Sequence, residues 1–440
     1  MTQNSAPALA NTQLRLAVDL TGTGTERRSA KQSARAAIGK STSGTALPTT
    51  TSKAFDVRVL LEQVQLAQDA AFDFVAIGDS FVLDTNGVNP RAGQIDAALI
   101  TSRIAPVLNG IGLIPAINTT HTEPFHVSKL VATLDHISNG HGGWEPTVST
   151  TKVEAQLFGR GPALSKPAAW SQAGEVIDVV AQLWDSWEDD AEIRDERTGR
   201  FIDRNKLHYV DYEGVHFSVK GPSITPRPPQ GHPVTVISIP ATSTDDASQE
   251  NTSQENANLT AQIIEIAAQH AQVVRLNVDD IEKAIVLRAA LKERAVAHGR
   301  VESDILVYVN VLAIVSADHL SAQIRRDFLE ESHGSAFANG AFVFAGTPRE
   351  LAALGKDWLT AGATDGFVLK PASLSTDLRA ITEHTVPVLT ANRLFAPAYR
   401  GETLRDQLGL AKPKNRFAQN RRTDDQAPNL KPAAALSINA

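Results

Sequence analysis

The sequence predicts a (β/α)8 barrel, the TIM-barrel fold, with insertions and an extended C-terminal tail. Eight short apolar segments alternate with segments of helical periodicity, which is typical of a closed parallel barrel. A length of 440 residues with 42% hydrophobic residues allows a large core. A doubly wound open sheet is the alternative. It requires a dinucleotide-binding fingerprint after the first strand, but Gly22 and Gly24 are not followed by the third glycine.

The predicted strands are short runs rich in Val, Ile and Leu, as expected for strands that are buried on both faces. In chain order they are Leu14–Leu20, Asp73–Gly78, Ile111–Ile117, Gly142–Ser149, Val234–Ile239, Gln272–Val278, Ile305–Ile314 and Asp365–Leu369. The fourth has the weakest strand propensity of the eight.

The segments between these strands carry apolar residues at helical spacing. They predict helices over Phe55–Ala71, Ile95–Leu108, Glu123–Ile137, Ala168–Trp187, Thr260–His270, Ile281–Gly299, Ala317–Glu331, Thr347–Ala361 and Leu374–Val388. Pro124 and Pro348 stand at first helical positions, and Gly299 is a typical terminating residue. Trp184 and Trp187 follow helical spacing, which favours core packing for both.

Three segments have no regular apolar period and predict loops or insertions: Thr21–Thr51, Glu188–Gln230 and Asp245–Leu259. Within the second, Glu213 and Gly214 stand between two apolar runs and indicate a hairpin. The chain from Ala391 onward is expected to extend over the surface. We therefore predict one barrel domain over residues 13–416 and a flexible tail over residues 417–440.

The composition excludes several classes of function. The chain has no cysteine and one methionine, Met1, so disulfides, thiolate metal sites, iron–sulfur clusters and cysteine nucleophiles are excluded. A net charge of −7 gives no indication of binding to nucleic acid or an anionic membrane. No membrane span or signal peptide is predicted, so we expect a cytoplasmic protein. Three explanations of the low sulfur content stay open: chance, avoidance of oxidisable side chains, and economy of sulfur in a protein made when sulfur is scarce.

Active sites of (β/α)8 barrels lie at the carboxyl ends of the strands. The polar and flanking residues near those ends are Asp79, Asn118, Thr119, His121, Trp144, Val148, Ser149, Thr242 and Ser243. The hydroxyl-rich turn at Thr242–Thr244 is typical of a phosphate cradle or of an ordinary helix cap. Glu123 and His126 have no second acidic–histidine pair, so no metal site is predicted.

Several motifs occur together in an order that is typical of one family. They are LWDSWEDDA (Leu183–Ala191), LHYVDYEGVHFSVKGP (Leu207–Pro222), RPPQGHPV (Arg227–Val234), GTPRELA (Gly346–Ala352), DGFVL (Asp365–Leu369) and YRGETLRDQLGL (Tyr399–Leu410). From about Leu14 to Arg416 the chain resembles the nitrilotriacetate and dibenzothiophene-sulfone monooxygenase branch of the bacterial-luciferase-like flavin monooxygenases.

The resemblance implies a barrel that binds reduced FMN delivered by a separate NAD(P)H-dependent flavin reductase. In such enzymes oxygen adds to flavin C4a, and the resulting peroxide oxygenates a small organic substrate. It also implies a homo-oligomer. It places near the flavin Asp79, Asn118, Thr119, Trp144, Val148 and Ser149, with the phosphate at Thr242 and Ser243. His121 or His141 is the candidate for stabilising the peroxide or transferring a proton, with a structural hydrogen bond as the alternative for each.

The chain departs from the family pattern at several positions. Glu145 replaces the asparagine that faces the flavin, His141 replaces an arginine, and Trp170 replaces an aromatic hydroxyl that contacts the phosphate. The His-x-x-x-Trp-Arg element after the first strand is missing. A carboxylate at position 145 is unfavourable beside an anionic reduced flavin unless it is paired or protonated.

Three functions follow as hypotheses. The first is a reduced-FMN-dependent monooxygenase that acts on a sulfonate, sulfonate ester or sulfone, which also accounts for the low sulfur content. The second is an aminopolycarboxylate monooxygenase that cleaves a C–N bond, which requires basic residues in the pocket. The third is a non-catalytic barrel that partners an active paralogue, and it rests on the departures at Glu145 and Trp170.

Overall fold

The computed structural model of the chain describes residues 13–21, 56–82, 94–241, 250–333, 338 and 340–418. Within these ranges eight parallel strands form the predicted barrel. They are β1 (Arg15–Asp19), β2 (Phe74–Ile77), β3 (Gly112–Asn118), β4 (Gly143–Thr147), β5 (Val234–Ile239), β6 (Val273–Leu276), β7 (Leu306–Val315) and β8 (Gly366–Pro371). Each strand pairs with the next, and β8 pairs with β1, which closes the barrel. A further strand, Phe342–Gly346, pairs with the end of β7.

Helices surround the barrel. They are α1 (Val57–Asp69), α2 (Ala97–Ile104), α3 (Pro124–Ile137), α4 (Lys152–Phe158), α5 (Lys166–Asp185), α6 (Glu250–His270), α7 (Ile281–Ala297), α8 (His319–His333), α9 (Pro348–Thr360), α10 (Asp377–Ala380), α11 (Val386–Ala391) and α12 (Leu404–Leu408). Two small hairpins pair Glu192–Asp195 with Arg200–Ile202 and Tyr212–Glu213 with Ser218–Val219. In the described part of the chain, no helix combines the length and apolar character needed to cross a membrane.

The structure confirms the predicted fold and all eight strands. It also confirms local signals at helix ends. Pro124 is the first residue of α3, and Thr347 caps α9 through a capping box with Glu350. Gly299 follows α7 with a φ of +77°, a backbone conformation that favours glycine. Trp184 and Trp187 are buried, as expected, and each indole donates a hydrogen bond to a backbone carbonyl.

Two predicted helices differ from the observed ones. The helix expected at Thr260 begins at Glu250, and Leu259 of the polar segment before Thr260 is buried together with Ile263 on the same helix. The helix expected over Leu374–Val388 is divided by a π-helical turn at Ile381–Thr385. Pro387 has no N–H to continue the regular ladder at this point. Residues 22–51 and 245–249 of the predicted loops and residues 419–440 of the tail lie outside the described residues.

The C-terminal segment closes the amino end of the barrel, so the expectation that it only extends over the surface is wrong. Leu404 and Leu408 of α12 are buried and pack on the apolar barrel interior with Phe74. Arg15 of β1 donates hydrogen bonds to the carbonyls of Gln407 (3.2 Å) and Leu408 (3.0 Å). The apolar spacing of this short helix covers core residues that the barrel strands leave open to solvent.

A buried charge cluster joins the insertion after α5 to the C-terminal segment at the same end. The Arg227 guanidinium donates to Asp185 Oδ1 (2.9 Å) and to Asp189 Oδ2 (2.8 Å). The Asn415 amide donates to the carbonyls of Asp185 and Trp187, both at 2.8 Å. These contacts explain why the motifs around Leu183, Arg227 and the C-terminal segment occur together: they form one structural unit.

Replacing Leu404 tests whether α12 is part of the core. We expect Leu404→Ala to lower the free energy of unfolding by about 2–5 kcal/mol, because it removes a fully buried side chain and leaves a cavity against Phe74. The measurement is urea unfolding followed by circular dichroism. Leu320→Ala is the control, because Leu320 is 69% exposed, and its effect should stay within about 0.5 kcal/mol. Equal stability of both variants would show that α12 is not needed to close the core.

Candidate active site at the carboxyl ends of the strands

The inner face of the barrel changes from apolar to polar toward the carboxyl ends of its strands. Alternate residues of a strand point to the same face. Tyr308 and Val368 belong to the apolar interior cluster, and the next interior positions of β7 and β8 are Asn310 and Lys370. By the same alternation the interior receives Asp19 from β1, Glu145 from β4, Ser238 from β5 and Arg275 from β6. The mouth of the barrel is therefore polar and charged.

Arg275 lies at the centre of this polar region and is fully buried. Its Nη2 lies 2.5 Å from Asp19 Oδ2 and its Nη1 lies 2.7 Å from Glu145 Oε2. Its Nε donates to Asn310 Oδ1 at 3.1 Å. One guanidinium thus joins four strands of the barrel and neutralises one of the two carboxylate charges that it contacts.

The other carboxylate oxygens of this cluster also have donors. Asp19 Oδ1 accepts from the backbone N–H of Thr21 at 2.9 Å. Glu145 Oε1 accepts from Ser238 Oγ at 2.5 Å. The condition set by the sequence for a carboxylate at position 145 is met, because Glu145 is paired with Arg275. The cluster of Asp19, Glu145, Ser238, Arg275 and Asn310 is hereafter the mouth network.

The electrostatics of the mouth network favour its charged form. Burial alone would raise the pKa of Asp19, but Arg275 and then Lys370 lower the pKa of this carboxyl well below its usual range. Burial would likewise lower the pKa of Arg275, whereas Glu145 and Asp19 raise it above the usual value for arginine. An ion pair is therefore the stable state of these groups near neutral pH.

Sequence reasoning missed Asp19 and Arg275. Each is a charged residue inside an apolar strand, in LAVDL (Leu16–Leu20) and VVRLNV (Val273–Val278). A buried charge in a strand requires a partner, and that requirement was the available signal. The two residues are 256 positions apart, and their pairing follows only from closure of the barrel.

The ends of β3 and β4 bring three predicted site residues together. The Asn118 amide donates to Ser149 Oγ at 2.9 Å, and Asn118 Oδ1 accepts from the backbone N–H of His121 at 3.1 Å. Thr119 Oγ1 donates to the carbonyl of Thr147 at 3.0 Å. Thr119 and Ser149 are buried, whereas Asn118 is partly exposed at the rim of the barrel mouth.

Asp79 follows β2, as predicted, and is held by the start of α2. Its carboxylate accepts from the backbone N–H groups of Ser80 (2.7 Å) and Ala97 (2.9 Å) and from the Gln94 amide (2.9 Å). Burial raises the pKa of Asp79 despite these hydrogen bonds. The carboxyl therefore has a fixed orientation at the edge of the mouth.

A cleft of about 240 Å³ opens between the ends of β2, β3 and β4. Asp79, Asn118 and Val148 of the predicted site line it, as do Thr147 and His126. The carboxylates that line it are Asp79, Asp96 and Glu154, and its described lining contains no lysine or arginine. Its surface is thus acidic and opposes ligands with several negative charges.

His121 belongs to an aromatic cluster at the rim of this cleft. Its ring stacks on Phe158 with centroids 4.3 Å apart and an interplanar angle of 10°. Phe81 meets Phe158 edge to face at 4.7 Å. Partial burial lowers the pKa of His121, so its imidazole is neutral at pH 7 and able to accept a proton.

Other predicted site residues lie elsewhere. His141 precedes β4 at the amino end of the barrel, away from the mouth, and its Nδ1 lies 2.9 Å from the carbonyl of Ser138, as in the structural alternative for this residue. Trp144 is fully buried and donates to Thr235 Oγ1 at 3.1 Å in the layer between barrel and helices. Strand alternation directs Trp144 outward and Glu145 inward. Thr242 and Ser243 lie outside the described residues.

Comparison with known proteins identifies the family. The family model described as luciferase-like monooxygenase matches residues 37–250. The N-acetyl-S-(2-succino)cysteine monooxygenase of Bacillus subtilis (strain 168) is 28% identical over 419 residues, covering 81% of this chain and 91% of that protein. The dibenzothiophene-sulfone monooxygenase of Rhodococcus erythropolis is 30% identical over 391 residues, covering 78% and 86%. The solved structure of an EDTA monooxygenase from Chelativorans sp. BNC1 has a TM-score of 0.72 at 19% identity, covering 92% and 100%.

The chain belongs to the luciferase-like monooxygenase family. The identity to the dibenzothiophene-sulfone enzyme extends over most of both chains, and the similarity to the solved structure confirms the barrel. This confirms the resemblance drawn from the motifs and the prediction of a flavin-dependent monooxygenase.

Removing the Arg275 cation tests the mouth network. We expect Arg275→Met to lower the free energy of unfolding by about 3–5 kcal/mol near pH 8, because Asp19 and Glu145 lose their buried counter-ion. In the native chain the lowered pKa of Asp19 stabilises the fold above the unfolded pKa of about 3.9, and this contribution is lost only as pH falls through the lower folded value. In the variant the carboxyls protonate more easily, so the loss should be smaller near pH 5.

The measurement is urea unfolding at both pH values. Arg194→Met is the control, because Arg194 is an exposed partner of Glu192 and its loss should cost less than about 1 kcal/mol at either pH. A pH-independent loss in Arg275→Met would contradict the ion-pair assignment and indicate a packing effect alone.

Proposed function

We propose that this chain is a reduced-FMN-dependent monooxygenase that oxygenates a small organosulfur compound. The observation that carries the proposal is the pairing of Glu145 with Arg275, because it reduces the electrostatic objection to an anionic flavin at the mouth. A separate NAD(P)H-dependent flavin reductase would supply the cofactor. A homo-oligomer in the cytoplasm remains our prediction.

The described residues fit a flavin at the carboxyl ends of the strands. Asp79 and Asn118 present polar atoms along a cleft that continues to Thr147 and Val148, while Ser149 supports Asn118 from behind. Thr119 shapes the same rim through its bond to Thr147. The turn at Thr242 and Ser243 stays our proposal for the phosphate. When bound, reduced flavin supplies the electrons that activate oxygen.

His121 is our candidate for proton transfer. It is the histidine that stands beside Asn118 at the rim, and its stacking on Phe158 fixes the plane of the ring. Its lowered pKa keeps the imidazole neutral, so it can accept a proton from a substrate or product and return it. The aromatic cluster also excludes water from one side of the cleft. His141 is not retained as a candidate, because it lies at the opposite end of the barrel.

Charge at the cleft favours an organosulfur substrate over an aminopolycarboxylate. The carboxylates Asp79, Asp96 and Glu154 repel a ligand that carries several carboxylates. The sulfur-poor composition supports a protein that is made when sulfur is scarce. Two relatives, the N-acetyl-S-(2-succino)cysteine and the dibenzothiophene-sulfone monooxygenases, are named for sulfur compounds. Pairing of Glu145 also weakens the case for a non-catalytic barrel.

Anaerobic titration with reduced FMN, followed by fluorescence, tests the cofactor part of the proposal. Absence of binding at tens of micromolar would reject catalysis by reduced flavin. Sulfite release from a panel of sulfonates, sulfonate esters and sulfones, with a flavin reductase present, tests the substrate class. Turnover of an aminopolycarboxylate without turnover of any sulfur compound would favour the second hypothesis.

The phosphate position is tested separately. We expect Ser243→Asp to abolish binding of reduced FMN, because the new carboxylate repels the phosphate dianion. Ser303→Asp adds the same charge at an exposed position before β7, at the amino end of the barrel, and should leave affinity unchanged. The readout is the dissociation constant from anaerobic fluorescence titration. Equal affinity of the two variants would show that the phosphate lies elsewhere.

A further inference from the structure

Lys370 is a cation of the barrel mouth that lies outside the mouth network. It lies at the carboxyl end of β8, opposite Leu312 of β7, and shares the interior face with Val368. It is half-buried. Its charge lowers the pKa of Asp19 through space, yet within the described ranges its ammonium donates no hydrogen bond and forms no ion pair within 4 Å.

The charged groups of the mouth network already have hydrogen-bond partners among themselves. All three nitrogen positions of the Arg275 guanidinium are used, by Asp19, Glu145 and Asn310. Asp19 is shared between Arg275 and the backbone of Thr21. An ammonium group without such partners, at a half-buried position facing the mouth, is placed to bind an anionic oxygen of a ligand.

We propose that Lys370 binds the acidic group of the substrate, and that the substrate is an organosulfur compound with one oxyanion group, a sulfonate or a carboxylate. This inference rests on the proposed function, because it assigns the substrate of that same site. Lys370 supplies one positive charge, which matches a single anionic group. The carboxylates Asp79, Asp96 and Glu154 on the other side of the mouth disfavour a second anion.

The aromatic cluster supplies the surface for that remainder. Phe81 is 39% exposed and lies against Phe158, which stacks on His121. The mouth is therefore divided: the end of β8 carries the Lys370 cation, and the ends of β2 to β4 carry aromatic and acidic groups. A small molecule with an anionic head and an apolar body satisfies both sides.

Binding of simple anions to full-length variants tests the proposal. The probes are butanesulfonate, butanoate and the neutral diethyl sulfone, measured by titration calorimetry at low ionic strength. Lys370→Met should weaken binding of the preferred anion by about 10- to 100-fold, since a hydrogen bond to a charged group is lost. Lys370→Arg should keep affinity within about fivefold. Diethyl sulfone should bind all variants alike, and Lys356→Met, an exposed lysine on α9, should behave as wild type.

The two anions identify the acidic group: tighter binding of butanesulfonate assigns a sulfonate, and tighter binding of butanoate assigns a carboxylate. Equal anion affinity of wild type and Lys370→Met overturns the proposal, as does an equal loss for diethyl sulfone, which would indicate a structural role. The dissociation constant of reduced FMN is measured for the same variants. A loss confined to reduced FMN assigns the charge to the cofactor and also overturns it. Anion binding that depends on Lys370 without flavin binding supports the anion site and rejects the cofactor function.

Discussion

The two ion pairs that Arg275 forms with Asp19 and Glu145 determine the charge at the mouth of this barrel. Arg275, Asp19 and Glu145 come from three different strands, and each would be costly to bury alone. Each charged group of the mouth network forms hydrogen bonds to other groups of the protein. The network therefore separates the mouth from the apolar interior of the barrel. We therefore propose ligand-binding roles only for groups around the network, among them Asn118 and Lys370. An unpaired Glu145 would be unfavourable here, but its carboxylate is bound by Arg275 and Ser238.

The two ends of the barrel differ in how closely they follow the family. The motifs that carry the resemblance around Leu183, Arg227 and Tyr399 lie at the amino end, where Arg227, Asp185 and Asn415 hold the insertion and the C-terminal segment together. They serve the scaffold. Of the departures, Glu145 lies at the mouth and His141 lies at the amino end. A family can therefore be recognised with confidence from residues that never approach the substrate, while specificity depends on other positions.

The strands could be predicted because a parallel barrel strand is buried on both faces and reads as a continuous apolar run. The position of α12 could not, because Leu404 and Leu408 look like isolated apolar residues until the open barrel end is known. Asp79, Asn118, Thr119 and Ser149 were found from their position after strands. Arg275 and Lys370 could not be found in this way, because both lie within strands, and the partners of Arg275 come from distant parts of the chain. His141 was misplaced since it is close to Trp144 in sequence, but the length of β4 separates it from the mouth.

The closure of the barrel by α12 has a consequence for biosynthesis. The bond from Arg15 to the carbonyl of Leu408 joins residues 393 positions apart, so the first strand gains its last contact only when nearly the whole chain has left the ribosome. Until then the apolar interior around Phe74 is accessible to solvent from the amino end of the barrel. Late closure of this kind prolongs exposure to chaperones and to aggregation. The barrel interior is therefore covered only after α12 has been synthesised.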